Sequence, residues 1–486
     1  MSHVLVHPLW GSLALDRSSA TSLQDQIVGF FRDAILSGRL AGGRRVPSSR
    51  QLAAEHGVSR STAVEAYDRL TAEGYLVPRA GSGLFVCHAL PEDYLLRASP
   101  RASAAPIAVE LPPGEIVVAF DPRKHRLPLT PGMPAIDHFP WKEWTRATAQ
   151  ILRERPSDAL HYGDPRGEPV LRQAIAEYLA AARGIDCTAD QIVVVSGSKQ
   201  GLDMVAGVLG SPGDEVWFEE PGHAVCRQVL ETANLVPVSI PVDRRGLIVS
   251  EARVRAPDAR LALVAPSHQY PLGHTMSLDR RLELLQWAES TGGWIIEDDH
   301  DGEYRYSGKP LAPLHTLDRT GRVIYIGSFS NLLAPGLRMG YLVVPPELAG
   351  AFLMMRASMV PILVQLTVAR FIASGRLSSH LRRMRGLHAR RRTVLIEALE
   401  SEAAGLLRVG EAPQAGMRVI AHLVSPQDDK LIAQRALDAG VYVHVLSTSY
   451  ASSEPRRGLI VGFASTPEEQ IPPAVRRLVE VVRACA

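Results

Sequence analysis

Apolar positions recur at helical spacing through the first part of the chain. Ile27, Phe30, Phe31, Ile35 and Leu36 lie three and four residues apart, and Ser37-Gly38 stops the helix they predict. After the turn GRLAGGRRVPSSR, Ser48 or Ser49 is a candidate N-cap for a second short helix that carries Leu52 and Ala53 inward and ends at His56-Gly57. Ser59 is a third N-cap candidate, opening a helix with Val64, Tyr67 and Leu70 on one face. Two short helices joined by a tight glycine-containing turn predict a helix-turn-helix. The next stretch, GYLVPRAGSGLFV, holds two strand-like pieces around Gly81-Ser82-Gly83, a hairpin carrying Arg79. Helices followed by such a hairpin make a winged helix, placed here at 21–88.

The pattern then changes twice. Residues 89–125 are rich in Pro, Ala and Ser, show neither helical nor alternating order, and read as a flexible, partly extended tether. From 126 to 486, short apolar strands (191–195, 215–218, 261–265, 294–297, 323–326) alternate with helix-sized segments such as 169–182 and 279–291. That order predicts an α/β domain with a mainly parallel sheet covered on both faces and ligands at the carboxyl ends of its strands. Strands at 417–422, 441–445 and 458–461, with helices at 429–439 and 472–485, predict a smaller α+β lobe. The basic run LRRMRGLHARRR (381–392) reads as a solvated helix face between the lobes.

Composition narrows this picture only a little. A length of 486 residues exceeds one ordinary core, and 46% hydrophobic with 21% charged residues is ordinary for a soluble globular protein. No apolar run approaches the roughly 18 residues a membrane span needs, and MSHVLVHPLWGS lacks the plan of a signal peptide, so a cytoplasmic protein is expected. Cys87, Cys187, Cys226 and Cys485 form no C-x-x-C pair, which predicts reduced thiols without zinc or disulfides. The net charge of +2 is neutral evidence on nucleic acid, as are the 8 basic and 6 acidic residues of 21–88.

Candidate chemistry gathers at the predicted strand ends. Segment 323–341, VIYIGSFSNLLAPGLRMGY, leaves its apolar run at Gly327 for a hydroxyl-rich turn with Ser328 and Ser330, followed by Arg338, a combination suited to an anion. SGSKQGL, with Ser198 and Lys199, is a Gly/Ser turn feeding a helix whose free amides suit a phosphate. Asp298-Asp299-His300 puts acids at a strand end, useful there to a cationic or protonated group.

Two resemblances follow. The run from Ser37 to Val86 resembles the GntR-family DNA-binding domain at Pro47, Ser48 and Arg50, at V-S-R-x-T, at A-Y-x-x-L, at E-G-Y-L and at the G-S-G wing. It implies that Arg50, Ser59, Arg60, Ser61 and Thr62 meet double-stranded DNA, with Arg79, Gly81, Ser82 and Gly83 at the wing. Residues 126–486 resemble the effector domain of the MocR branch of that family, which has the fold-type I aminotransferase fold, through HYGDPRGEPVLRQAIAEYL, VVVSGSKQGL, FEEPGH, LVAPSHQYPLGHTMSLDRR and IIEDDHDGEYRYSGKPL. The resemblance implies a homodimer and a pocket for pyridoxal phosphate (PLP). Asp298 would bond the pyridine nitrogen, and Ser198, Ser328, Ser330 and Arg338 the phosphate; a late arginine, Arg418 or Arg456, would hold a substrate carboxylate.

The chain departs from that pattern around the ring. His223 and His300 stand where relatives carry Tyr, Lys199 where they carry Gln, and Asn331 where they carry the Schiff-base Lys. An amide cannot form an imine with an aldehyde. Three occupants stay open: PLP or its amino form held noncovalently, another small anion or natural product recognised by the two histidines, or PLP on Lys199. The function expected is a DNA-binding regulator responding to a small-molecule effector; a PLP-dependent enzyme carrying a DNA-binding module, or a regulator whose large domain only dimerises, are the alternatives.

Overall fold

Helix α1 (Leu23–Leu36) forms where the apolar spacing places it, capped by Ser22, whose side chain accepts from the Asp25 amide. In this computed structural model the described residues are 13–88, 124–306, 312–354, 360–410 and 414–486. The chain divides into two compact units, the boundary falling within 89–123, and each has its own core. The expected tether therefore lies, but for Lys124 and His125, outside the described residues.

Ser48, rather than Ser49, caps α2 (Ser49–His56), accepting from the Gln51 amide at 3.2 Å, and Gly57 ends the helix at φ +63°. Ser59 caps α3 (Arg60–Ala72), its Oγ accepting from the Thr62 amide at 3.0 Å. Ile27, Phe31, Leu52, Ala63, Ala66, Tyr67 and Leu70 form the core. Val64 is only partly buried, because the small Ala63 and Ala66 are what let α3 lie against its neighbours. Strands β1 (Leu76–Arg79) and β2 (Gly83–Val86) pair antiparallel with Arg79 opposite Gly83, completing the winged helix. The Ser59 hydroxyl also sits 2.7 Å from the hydroxyls of Ser61 and Thr62. Ser59→Ala should therefore lower the stability of this unit by about 1 kcal/mol; an unchanged denaturant midpoint for its transition would show that the cap contributes nothing.

The larger unit is built on an eight-stranded sheet. Its strands are β3 (Ile192–Val195), β4 (Glu215–Glu220), β5 (Val236–Asp243), β6 (Gly246–Leu247), β7 (Leu261–Val264), β8 (Trp294–Asp299), β9 (Val323–Ser328) and β10 (Gly340–Val343). The order is β3-β10-β9-β8-β7-β4-β5-β6, parallel from β9 through β5, with β10 antiparallel to both its neighbours and β6 antiparallel to β5. Ile192 and Val194 enter one core while Val193 and Val195 enter another, so both faces are covered and the strand reads as a continuous apolar run.

The sequence reading misses β5, β6 and β10. β5 contains Pro237 and Pro241, which remove ladder donors and hide a strand pattern. β9 also runs through Gly327 instead of breaking there. A Cβ at 327 would run into the Tyr341 ring packed beside it, so the glycine serves a close approach within the strand.

The smaller lobe has β11 (Leu407–Val409), β12 (Arg418–Leu423), β13 (His444–Val445) and β14 (Gly458–Gly462), antiparallel in the order β11-β12-β14-β13. The basic run lies within the helix Arg376–Glu402, and the expectation of a solvated face holds for only part of it. Arg391 is buried on Asp137 and the Ala464 carbonyl, Arg385 donates to the Glu303 carbonyl at 2.8 Å, and the Arg392 guanidinium lies 4.9 Å from the Tyr306 ring centre.

Candidate effector cavity and DNA interface

Four strand ends converge on one cavity of about 270 Å³. The end of β3 feeds the helix Ser198–Leu209, whose first turn brings Ser198 and Lys199; the end of β4 brings His223; β8 brings Asp298 and His300; β9 brings Ser328, Ser330 and Asn331. These eight predicted residues all line the cavity. Arg338 does not: it sits at φ +50° after a short turn with an exposed side chain, and it is the one predicted phosphate group that the structure leaves outside the wall. Of the two late arginines, Arg418 lines this cavity and Arg456 does not.

Asp299 and Asp298 have separate tasks. Asp299 is buried against the Arg183 guanidinium and accepts from the Tyr325 hydroxyl at 2.7 Å, a structural pairing. Asp298 faces the cavity, and its Oδ2 lies 3.4 Å from His300 Nδ1 while its buried Oδ1 has no hydrogen-bond partner.

The amide nitrogen of Asn331 has both of its donors engaged. Nδ2 donates to the His300 carbonyl at 2.9 Å and to Asp301 Oδ1 at 2.8 Å. The other carboxylate oxygen of Asp301 accepts from Arg418 Nη1 at 2.8 Å and lies 3.7 Å from His300 Nε2. Burial works to raise the pKa of Asp301, but His300 and Arg418 outweigh it and hold the carboxyl at about 2. Burial depresses the pKa of His300, yet Asp298 and Asp301 more than compensate and raise it. His223 is held at about 4 by burial and by the charge of His300, so it is neutral near pH 7, with a buried, unpartnered Nδ1. Its ring centre lies 4.5 Å from that of Tyr270.

Tyr270, Cys226 and Asp301 escape the sequence reading. Tyr270 comes from the loop after β7, where Arg418 stacks on it at 4.5 Å. The D-D-H-D run carries the signal for Asp301, which is fully buried one residue past the histidine.

The donor set fits part of PLP. Asp298 Oδ1 is suited to a pyridine N–H, and Ser198, Ser328, Ser330 and Lys199 suit a phosphate. The covalent handle does not fit, because Asn331 carries an amide already donating to two acceptors.

The expected DNA-facing residues lie on the other unit. Arg50, Ser59, Arg60 and Ser61 are exposed and Thr62 partly so, the last four forming the start of α3. Arg79 is exposed with its guanidinium 4.6 Å from the Phe85 ring centre, and Gly81, Ser82 and Gly83 form the exposed tip of the hairpin, the two glycines at φ +71° and +100°.

Comparison with known proteins agrees with both halves. Residues 23–86 match the bacterial regulatory proteins of the gntR family, and residues 126–478 match the aminotransferase class I and II family. The chain is 38% identical to the probable rhizopine catabolism regulatory protein MocR of Rhizobium meliloti, over 93% of this chain and 92% of that protein. It is 31% identical to the HTH-type pyridoxine biosynthesis transcriptional regulator PdxR of Corynebacterium glutamicum, over 94% and 96%. Among solved structures, the alpha-aminoadipate aminotransferase LysN of Thermus thermophilus is similar at a TM-score of 0.69 and 28% identity, covering 74% of this chain and 93% of that one. A gntR-type winged helix, an aminotransferase fold behind it, and near full-length likeness to regulators built the same way lead to one conclusion: this chain belongs to the MocR kind of GntR-family DNA-binding transcription regulators.

Proposed function

We propose that residues 126–486 sense a small-molecule effector held without a covalent bond and dimerise the chain. Through the tether at 89–125 they bias how two copies of 21–88 engage operator DNA in the cytoplasm, without turning the effector over. The observation that carries this reading is the engagement of Asn331 by Asp301 and the His300 carbonyl: an amide nitrogen with both donors in use occupies the place a reactive amine would need. Supporting it are two buried polar atoms at the cavity wall, Asp298 Oδ1 and His223 Nδ1, which a ligand would satisfy.

The cavity's own groups define what it recognises. Asp298 accepts from a protonated ring nitrogen or an ammonium, while Ser198, Ser328, Ser330 and Lys199 gather an acidic group. Neutral His223, beside Tyr270, offers a flat surface and one unpartnered nitrogen. PLP, where bound, would supply an electron-withdrawing ring; here no amine at 331 takes or returns a proton for it. Arg50, Ser59, Arg60, Ser61 and Thr62 read DNA at the start of α3, with Arg79, Gly81, Ser82 and Gly83 at the wing. Binding regulates only by favouring one arrangement of the DNA-binding modules over another, and a dimer gains DNA affinity through effective concentration.

The test is reduction with borohydride in the presence of PLP, followed by peptide mass mapping. The expected result is no pyridoxyl adduct on any lysine and no transamination of added amino acids. An adduct on Lys199, or measurable turnover, overturns the noncovalent reading. The effector itself should raise the melting temperature in a concentration-dependent way.

A further inference from the structure

Arg418 also lines a second and larger cleft, about 750 Å³, to which Asn331 and Asp298 do not contribute. One wall comes from the large lobe, from the ends of β4 and β5 and the loop 268–274. The other comes from β11, β12 and the 450–456 segment of the small lobe. Its charge is uneven. Arg244, Arg408, Arg418 and Arg456 face it against Glu220, Asp243 and Glu454; Arg418 is already paired with Asp301, and His268, which burial holds at about 3, adds no charge near pH 7.

Two of those acids are already committed. Glu220 accepts from the amides of Ala451, Ser452 and Ser453 at 3.2, 3.0 and 2.6 Å, and Asp243 takes two bonds from Arg280 at 2.7 and 2.6 Å. Arg408 and Arg456 have no carboxylate partner among the described residues. Their charges crowd His422, whose pKa is lowered by burial and then by both arginines. At the wall, His268 is 3% exposed and its Nε2 has no hydrogen-bond partner; Arg418 is 4% exposed and its Nε likewise lacks one. A polar cleft whose small-lobe wall carries two arginines without a carboxylate partner among the described residues, Arg408 and Arg456, suits an anion with more than one acidic group.

We propose that this cleft between the lobes binds a small polyanion, a metabolite bearing two or more carboxylate or phosphate groups, with Arg408 and Arg456 as its principal contacts. The site shares Arg418 with the cavity beside Asn331, but its principal contacts, Arg408 and Arg456, lie outside that cavity's wall.

The test uses the full-length protein and titration calorimetry at constant ionic strength, with citrate and inorganic pyrophosphate as probes and acetate as the single-charge control. At least one polyanion should bind saturably with a Kd below about 1 mM, and acetate should not. Binding by citrate alone identifies carboxylates as the ligand groups, by pyrophosphate alone phosphates, and either supports the site. The Arg408→Gln/Arg456→Gln double variant, altered only at exposed side chains, should keep its ligand-free melting temperature and bind about tenfold or more weakly. Ser330→Ala, in the other cavity, should bind the probe as the parent does. No saturable binding of either polyanion, equal affinity in the double variant, or loss of binding in Ser330→Ala would overturn the proposal.

Discussion

Asp301→Ala should destabilise the aminotransferase-like unit by about 3–5 kcal/mol. The carboxylate is fully buried and holds Arg418, itself only 4% exposed, at 2.8 Å. Removing it leaves a guanidinium buried without its counter-charge, and that penalty exceeds what the pair itself contributes. Asn331 loses one of its two acceptors and His300 one of the two carboxylates that raise its pKa. Asp301→Asn separates these effects, since it keeps the shape and an acceptor oxygen while removing the charge; it should fall between Ala and the parent in denaturant melts. The pH dependence has a definite sign. A folded-state pKa depressed from 3.8 to about 2 makes the contribution of Asp301 complete above the unfolded value and lost as pH falls from near 4 towards 2. A parent protein whose stability is flat across that interval, or an Asp301→Ala variant within 1 kcal/mol of the parent, would show that the network is held by something other than this charge.

The same network shows what the sequence could and could not reveal. Alternating apolar strands and helices, and glycine-terminated turns, made the α/β unit readable, because burial on both faces writes continuous apolar runs into β3 and β7. β5 stayed hidden because two prolines interrupt it, and β10 because four residues directly after a turn carry too little pattern to mark a strand. Eight of the nine expected cavity residues meet around one space, since each sits at a strand end or in the first turn beyond it. Asn331 was visible as a missing amine, but its consequence was not. That the amide is tied to Asp301 and the His300 carbonyl, and that Arg418 closes the arrangement from another lobe, depends on contacts between residues 30 to 118 positions apart. Such distances leave no local spacing to read. Arg338 shows the opposite case: its position suggested an anion ligand, yet an αL backbone and an exposed side chain put it outside the wall.

Arg60→Ala should weaken binding to the parent's preferred duplex, chosen by in vitro selection, about 10- to 100-fold, or roughly 1–3 kcal/mol. Arg60 is the first residue of α3, exposed beside a cap that fixes the helix start through Ser59 and Thr62. Side chains at that end of a recognition helix reach base edges, whereas Arg50, at the entry to α2, and Arg79, on the wing, lie off that end and are expected at phosphates. The two roles differ in their salt signature. Loss of a base contact lowers affinity for the selected site while leaving random DNA nearly untouched and relaxes preference at one position; loss of a phosphate contact weakens both alike and reduces the salt slope by about one. Arg60→Ala belongs to the first class, and Arg50→Ala and Arg79→Ala to the second. Because the exposed Arg60 side chain has no hydrogen bond or ion pair among the described residues, the melting transition of the winged-helix unit should stay where it is, which separates lost recognition from lost fold. An Arg60→Ala protein that binds the selected duplex as tightly as the parent would put the reading edge of α3 elsewhere, and with it the assignment of Ser61 and Thr62.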